Sequence, residues 1–108
     1  MGNTIHAWLV SDGLSQAKVV DKLRTERHRE YLYFFKGNRQ VARFEGEYNY
    51  VNPGHHASLM KNCVVLHNHL QGTSFSMGDV VAVIRYDAAE LRVIAGDYTF
   101  VIKRPKSG

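Results

Sequence analysis

A single cysteine among 108 residues excludes an intramolecular disulfide, and with it the stapled, secreted mini-protein. A reducing, cytoplasmic setting is the expectation. No apolar run approaches the ~20 residues that a membrane helix needs, so a membrane is not an expected partner. The N-terminal apolar stretch, Ile5 to Val10, is too short for a signal peptide and is interrupted by His6. There is no repeat period and no low-complexity tract. Charge of neither sign dominates: 14 basic residues stand against 10 acidic ones, for a net charge of +4. The cations are scattered from Lys18 to Arg43, with a late cluster at Lys103, Arg104 and Lys106. That distribution reads as a solvated face, and nucleic acid is a disfavoured partner.

What the sequence does have is 44% hydrophobic residues, with six Tyr, five Phe and one Trp. This suits a single domain over residues 1–108 with one core and no room for a second. Residues 1–12 read as an N-terminal arm whose apolar part is an edge strand or a docked extended segment. From Leu14 to Arg27, Ala17, Val19, Val20 and Leu23 alternate with charged residues as in an amphipathic helix lying on a sheet. Glu30 to Phe35 and Arg39 to Glu47, joined across Lys36-Gly37-Asn38, read as a β-hairpin. On its second strand Ala42 and Phe44 share one face, and Arg43, Glu45 and Glu47 the other. Asn52-Pro53-Gly54 breaks the chain, and His55 to Lys61 is expected to be a short helix carrying Leu59 and Met60 inward. Leu91 to Ala95 and Tyr98 to Lys103 form a closing hairpin across Gly96-Asp97, followed by a Pro105 tail. Helices alternating with strands of a mixed or antiparallel sheet make an α+β fold.

The stretch that carries chemistry runs from Cys63 to Asp79. Cys63 to Leu66 read as a buried strand too short to be a helix. The strand ends in His67-Asn68-His69, and residues i and i+2 of an extended chain point to the same side, so two imidazoles share one small volume. After a glycine-containing turn, a helix starts at Ser76, with Met77, Val80, Val81 and Ile84 at i, i+3, i+4 and i+7. Asp79 falls in its first turn. His67, His69 and Asp79 thus supply the N and O donors from which a catalytic zinc takes three ligands while keeping one position for water.

His67-Asn68-His69, Gly72, Ser76 and Asp79 together resemble the JAMM (JAB/MPN-type) zinc metalloprotease motif, nearest the bacterial branch of RadC-like and phage-associated domains. Leu70 stands where that branch has a proline. The resemblance covers roughly residues 30–105 and implies a JAB/MPN-like fold, a mixed sheet flanked by helices and similar in outline to cytidine deaminases. It implies a zinc-dependent peptidase or isopeptidase that hydrolyses an amide with metal-activated water, on a peptide or protein substrate that includes ubiquitin-like proteins. In the family a glutamate on an upstream strand is the general base. The positions offered here are Glu45 and Glu47 on the polar face of the hairpin, with Glu45 favoured. Ser76 would steady the oxyanion. The alternative is a non-catalytic JAB-fold binding module, phage-derived, that contacts a protein or nucleic-acid partner. The pattern demands no particular oligomeric state.

Plainer roles compete for several of these residues. Ser76-x-x-Asp79 at a helix start is also a capping box. Asn68, facing away from the two histidines, can hold the ligand loop through bonds to backbone. His55 and His56 are adjacent, point apart and read as surface loop. Cys63 is a small buried thiol, four strand residues and so ~13 Å from His67, too far for a Cys–His pair. Tyr31, Tyr33, Phe34 and Phe35 read as core rather than as base-stacking platforms. The string His-Asn-His is not the HNH nuclease element, whose residues are spread over a ββα unit.

Overall fold

The strands build one sheet of six, and their order decides which side chains can meet. The computed structural model describes residues 6–105. The elements are β1 (Ala7–Leu9), α1 (Gln16–Thr25), β2 (Tyr31–Lys36), β3 (Arg39–Glu45), a 3-10 segment (Gly54–Met60), β4 (Val64–Asn68), α2 (Met77–Arg85), β5 (Glu90–Ala95) and β6 (Tyr98–Lys103). The sheet order is β1-β3-β2-β4-β5-β6. All neighbours are antiparallel except β4 and β5, which run parallel and are joined by α2 as the crossover. The fold is therefore α+β with a mixed sheet. No helix among the described residues is long and apolar enough to cross a membrane.

The elements lie where their sequence patterns put them. The expected arm is the edge strand β1, paired with β3, while Ile5 and the Lys106-Ser107-Gly108 end fall outside the described residues. Both predicted hairpins close over Gly37-Asn38 and Gly96-Asp97, with the glycine at positive φ as a two-residue turn of this kind requires. Ser15 caps α1 by accepting from the Lys18 N–H. The segment expected to be a short helix forms as a 3-10 helix; Met60 is buried, but Leu59 is exposed.

Strand alternation splits the core in two. On one face α1 lays Val19 and Leu23 against Tyr33, Phe35, Leu66 and Ile94. On the other, α2 and the 3-10 segment cover Leu32, Phe34, Phe44, Val65, Leu91 and Val93. Tyr33, Phe34, Phe35 and Phe44 are wholly buried, each worth a few kcal/mol of burial, while Tyr31, also expected in the core, is half-buried at its edge.

The packing of α2 departs from its sequence pattern. Met77, Val81 and Ile84 are exposed at 79%, 50% and 74%, and the helix buries Val83 instead, with Ala82 and Tyr86 half-buried beside it. The orientation follows from Asp79, which turns inward to the histidines. Ala82, Val83 and Tyr86 lie three, four and seven residues further on the same face. The apolar stripe that runs through Met77 is carried to the outside.

One glycine shapes the wall of the site. Gly46 is buried where the chain leaves β3, and a Cβ there would run into the Tyr50 carbonyl and the Val51 side chain. The Glu47 N–H donates to that same carbonyl at 2.8 Å. Gly46→Ala is therefore expected to displace residues 47–51 and to destabilise the fold by about 1–3 kcal/mol, measured as a shift in the denaturant midpoint.

Candidate metal centre

His67 lies near the end of β4, directly opposite Leu32 of β2. Because β2 and β4 are antiparallel, stepping back from Leu32 to Glu30 brings the acid level with His69, on the same face of the sheet as both histidines. α2 then delivers Asp79 from above. The His67 and His69 rings meet edge to face, with centroids 4.7 Å apart.

Both imidazoles are fixed through Nδ1. That of His67 lies 2.8 Å from the Tyr31 carbonyl, and that of His69 lies 3.0 Å from the Thr73 carbonyl. Since a carbonyl only accepts, each ring donates from Nδ1 and turns its Nε2 to the centre. Metal-ligating histidines are oriented by bonds of this kind. The His69 Nε2 lies 3.0 Å and the His67 Nε2 3.7 Å from the two carboxylate oxygens of Asp79. Glu30 Oε1 is 3.3 Å from His67 Nε2. Ligand atoms of Glu30, His67 and His69 all lie within 4.8 Å of one another, and all three residues are buried. The group can hold a metal ion.

The electrostatics separate the two acids. Burial raises the Glu30 carboxyl from its ordinary 4.5 to about 7; His69 pulls it back and the Asp79 charge pushes it further. Asp79 feels burial in the same upward sense. A hydrogen bond from His69, the charge of His67, the Ser76 N–H and the charge of His69 outweigh it and bring the group down to about 2. Burial pushes the His67 imidazole down, with Asp79 opposing. Burial also acts downward on His69, but its hydrogen bond and charge interaction with Asp79 reverse the sign and raise it. One carboxylate is thus held ionised while its neighbour is poised near neutrality.

Ser76 and Asp79 do form the capping box: the Asp79 N–H donates to Ser76 Oγ at 3.0 Å, and the Ser76 N–H to Asp79 Oδ2 at 3.2 Å. The two roles coexist. The box fixes the Asp79 carboxylate, whose oxygens also reach the histidines. Ser76 Oγ accepts in the cap, so its hydroxyl proton stays free to be donated into the cleft that Ser76 lines.

The structure does not bring the predicted general bases to this centre. Phe44 pairs with Leu32 and so shares the face of His67; Glu45, one residue on, points to the opposite face and forms an ion pair with Arg29 at 3.0 Å. Glu47 is past the end of β3 with its side chain 58% exposed, 3.9 Å from His6 Nε2. The upstream carboxylate that joins Asp79 beside the histidines is Glu30. The signal for it is Glu30-x-Leu32-x-Phe34, an acid in step with two residues of the buried face.

Asn68 is buried, and its bonds go to β2 rather than to its own loop. It accepts from the Tyr31 N–H at 2.7 Å and donates to the Arg29 carbonyl at 3.0 Å, thereby clamping the backbone on both sides of Glu30. Asn68→Ala would strand both groups in a partly buried setting and is expected to cost about 2 kcal/mol, read from the denaturant midpoint. His55 and His56 lie elsewhere, His56 packed on Trp8. The Cys63 thiol is buried, donates to the Leu59 carbonyl, and is pushed up by burial.

A cleft of about 420 Å³ opens at the centre, walled by residues 49–53 on one side and by α2 on the other. No family model, curated protein or solved structure matches this chain.

Proposed function

We propose that this chain is a zinc-dependent peptidase or isopeptidase with a JAB/MPN-like fold, in which His67, His69 and Asp79 hold the ion and Glu30 is the general base. The observation that carries the reading is the situation of Glu30, a buried carboxyl with a pKa of about 7, 3.3 Å from the Nε2 of a histidine that also faces Asp79. An ordinary ion-pairing acid would be driven the other way. The donor set of two imidazole nitrogens and one carboxylate suits zinc with one position left open.

A zinc ion there would polarise the scissile carbonyl and bring the pKa of a water towards ~7. Glu30 takes the proton from the attacking water and returns it to the leaving amine, so the carboxylate is regenerated as the C–N bond breaks. Ser76 donates a hydrogen bond from its free hydroxyl to the carbonyl oxygen as charge develops on it. The backbone clamp from Asn68 keeps Glu30 in place through both transfers.

Metal content tests the ligand set. Mass spectrometry of protein purified without chelator should find about one zinc per chain, and His67→Ala and Asp79→Ala should lose it. A chain that takes up no metal even on reconstitution would overturn the reading and leave Ser76 and Asp79 as a helix cap.

A further inference from the structure

The wall that residues 49–53 raise beside the centre belongs to no strand or helix, so its position depends on a few bonds. At its start these bonds run to the backbone of Glu30. The Gly46 N–H donates to the Glu30 carbonyl at 2.8 Å, the Glu30 N–H donates to the Glu47 carbonyl at 2.7 Å, and the Glu47 N–H closes the turn on the Tyr50 carbonyl. At its far end both backbone groups of Asn52 are taken by one residue, His6, which directly precedes β1. The His6 N–H donates to the Asn52 carbonyl at 3.2 Å, and the Asn52 N–H donates to His6 Nδ1 at 3.1 Å. A backbone N–H only donates, so Nδ1 is the accepting nitrogen and the ring proton sits on Nε2, which faces Glu47 Oε2 at 3.9 Å. The buried ring stands edge-on to Tyr50, with centroids 4.6 Å apart.

We propose that His6 is a positioning residue for the hydrolysis: it latches the wall of the cleft and thereby sets how a substrate seats beside Glu30. The inference rests on the hydrolase reading and adds a residue to it. Glu30 does not depend on the latch alone, since Asn68 holds its backbone from the other side. Loss of the latch therefore frees the wall more than the base, and its effect falls on KM rather than on kcat. A generally destabilising change acts otherwise. It lowers the fraction of active protein, and so the apparent kcat, at unchanged KM. What the latch needs from the side chain is one acceptor in one place. Asparagine puts Oδ1 where Nδ1 lies, whereas glutamine carries its amide one carbon further out and alanine has no acceptor.

The test uses the zinc-loaded full chain, an acetylated, amidated, internally quenched peptide, and amide hydrogen exchange resolved to single residues. In His6→Ala and His6→Gln the Asn52 amide should exchange about 10-fold faster than in wild type, while Leu66 in the middle of the sheet keeps its protection. KM should rise about 10-fold in the same two variants, with kcat within about threefold of wild type. His6→Asn should restore both the protection and KM. Unchanged Asn52 exchange in His6→Ala and His6→Gln would overturn the latch, and faster exchange at unchanged KM would overturn its part in seating substrate. Absence of Glu30-dependent cleavage by the wild type would overturn the hydrolase reading and the role of His6 in it, while the exchange rates still decide whether the wall is latched. Where His6→Ala does not fold, the comparison of His6→Gln with His6→Asn decides.

Discussion

Glu30→Gln is expected to leave one zinc bound per chain and to reduce amide hydrolysis by about 10³-fold, within the range that general acid–base groups supply. Glutamine keeps the size and a hydrogen bond to His67 but can neither take a proton from water nor return one to the amine. Glu45→Gln and Glu47→Gln should stay within about threefold of wild type, because one carboxylate is tied to Arg29 on the other face of the sheet and the other is exposed beside His6. Metal content and turnover measured on the same preparations separate the outcomes. A Glu30→Gln protein that hydrolyses peptides at the wild-type rate would remove Glu30 from the mechanism.

The second large effect is on stability, and its sign differs between the two acids. In chelator-treated protein Glu30 is harder to ionise when folded than when unfolded: about 7 against an ordinary 4.5. A group raised in the fold contributes stability that is complete below the unfolded value and lost as the pH climbs through the folded one. Between about pH 4.5 and 7, therefore, Glu30 takes stability away, reaching about 3 kcal/mol at pH 8. Glu30→Gln should be as stable as wild type near pH 4 and more stable by about that amount at pH 8, read from urea midpoints across the range. Asp79 acts oppositely. Held at about 2 against 3.8, it stabilises the fold above pH 4, and that contribution disappears as the pH falls towards 2. Asp79→Asn should cost about 2 kcal/mol at neutral pH and little at pH 2. Equal pH profiles for wild type and Glu30→Gln would contradict the raised carboxyl.

Much of this was legible before the fold. His67, His69, Ser76 and Asp79 were readable because strand alternation and a helix cap are local rules, and these residues lie close together in sequence. The two hairpins followed from alternation and their glycine turns. Glu30 was not readable in the same way, since its place depends on β2 lying antiparallel beside β4 in the register that opposes Leu32 to His67. The polar face of β3 drew attention to Glu45 for a reason that proves misleading. A carboxyl poised near neutrality needs burial, so it belongs on the face of Phe44. The orientation of α2 was hidden too, because one inward carboxylate outranks three outward apolar side chains. The spacing of apolar residues along a helix carries no trace of a preference set by two histidines on a neighbouring strand.

The proposed ligands all lie between residues 67 and 79, whereas Glu30 arrives from the far side of a hairpin and a 3-10 segment. Closing the short loop from His67 to Asp79 costs less chain entropy than closing the long one back to Glu30. During folding, the His67–Asp79 segment can come together as soon as β4 and α2 form, before β2 has paired. His67, His69 and Asp79 can thus be gathered before Glu30 takes its place beside them.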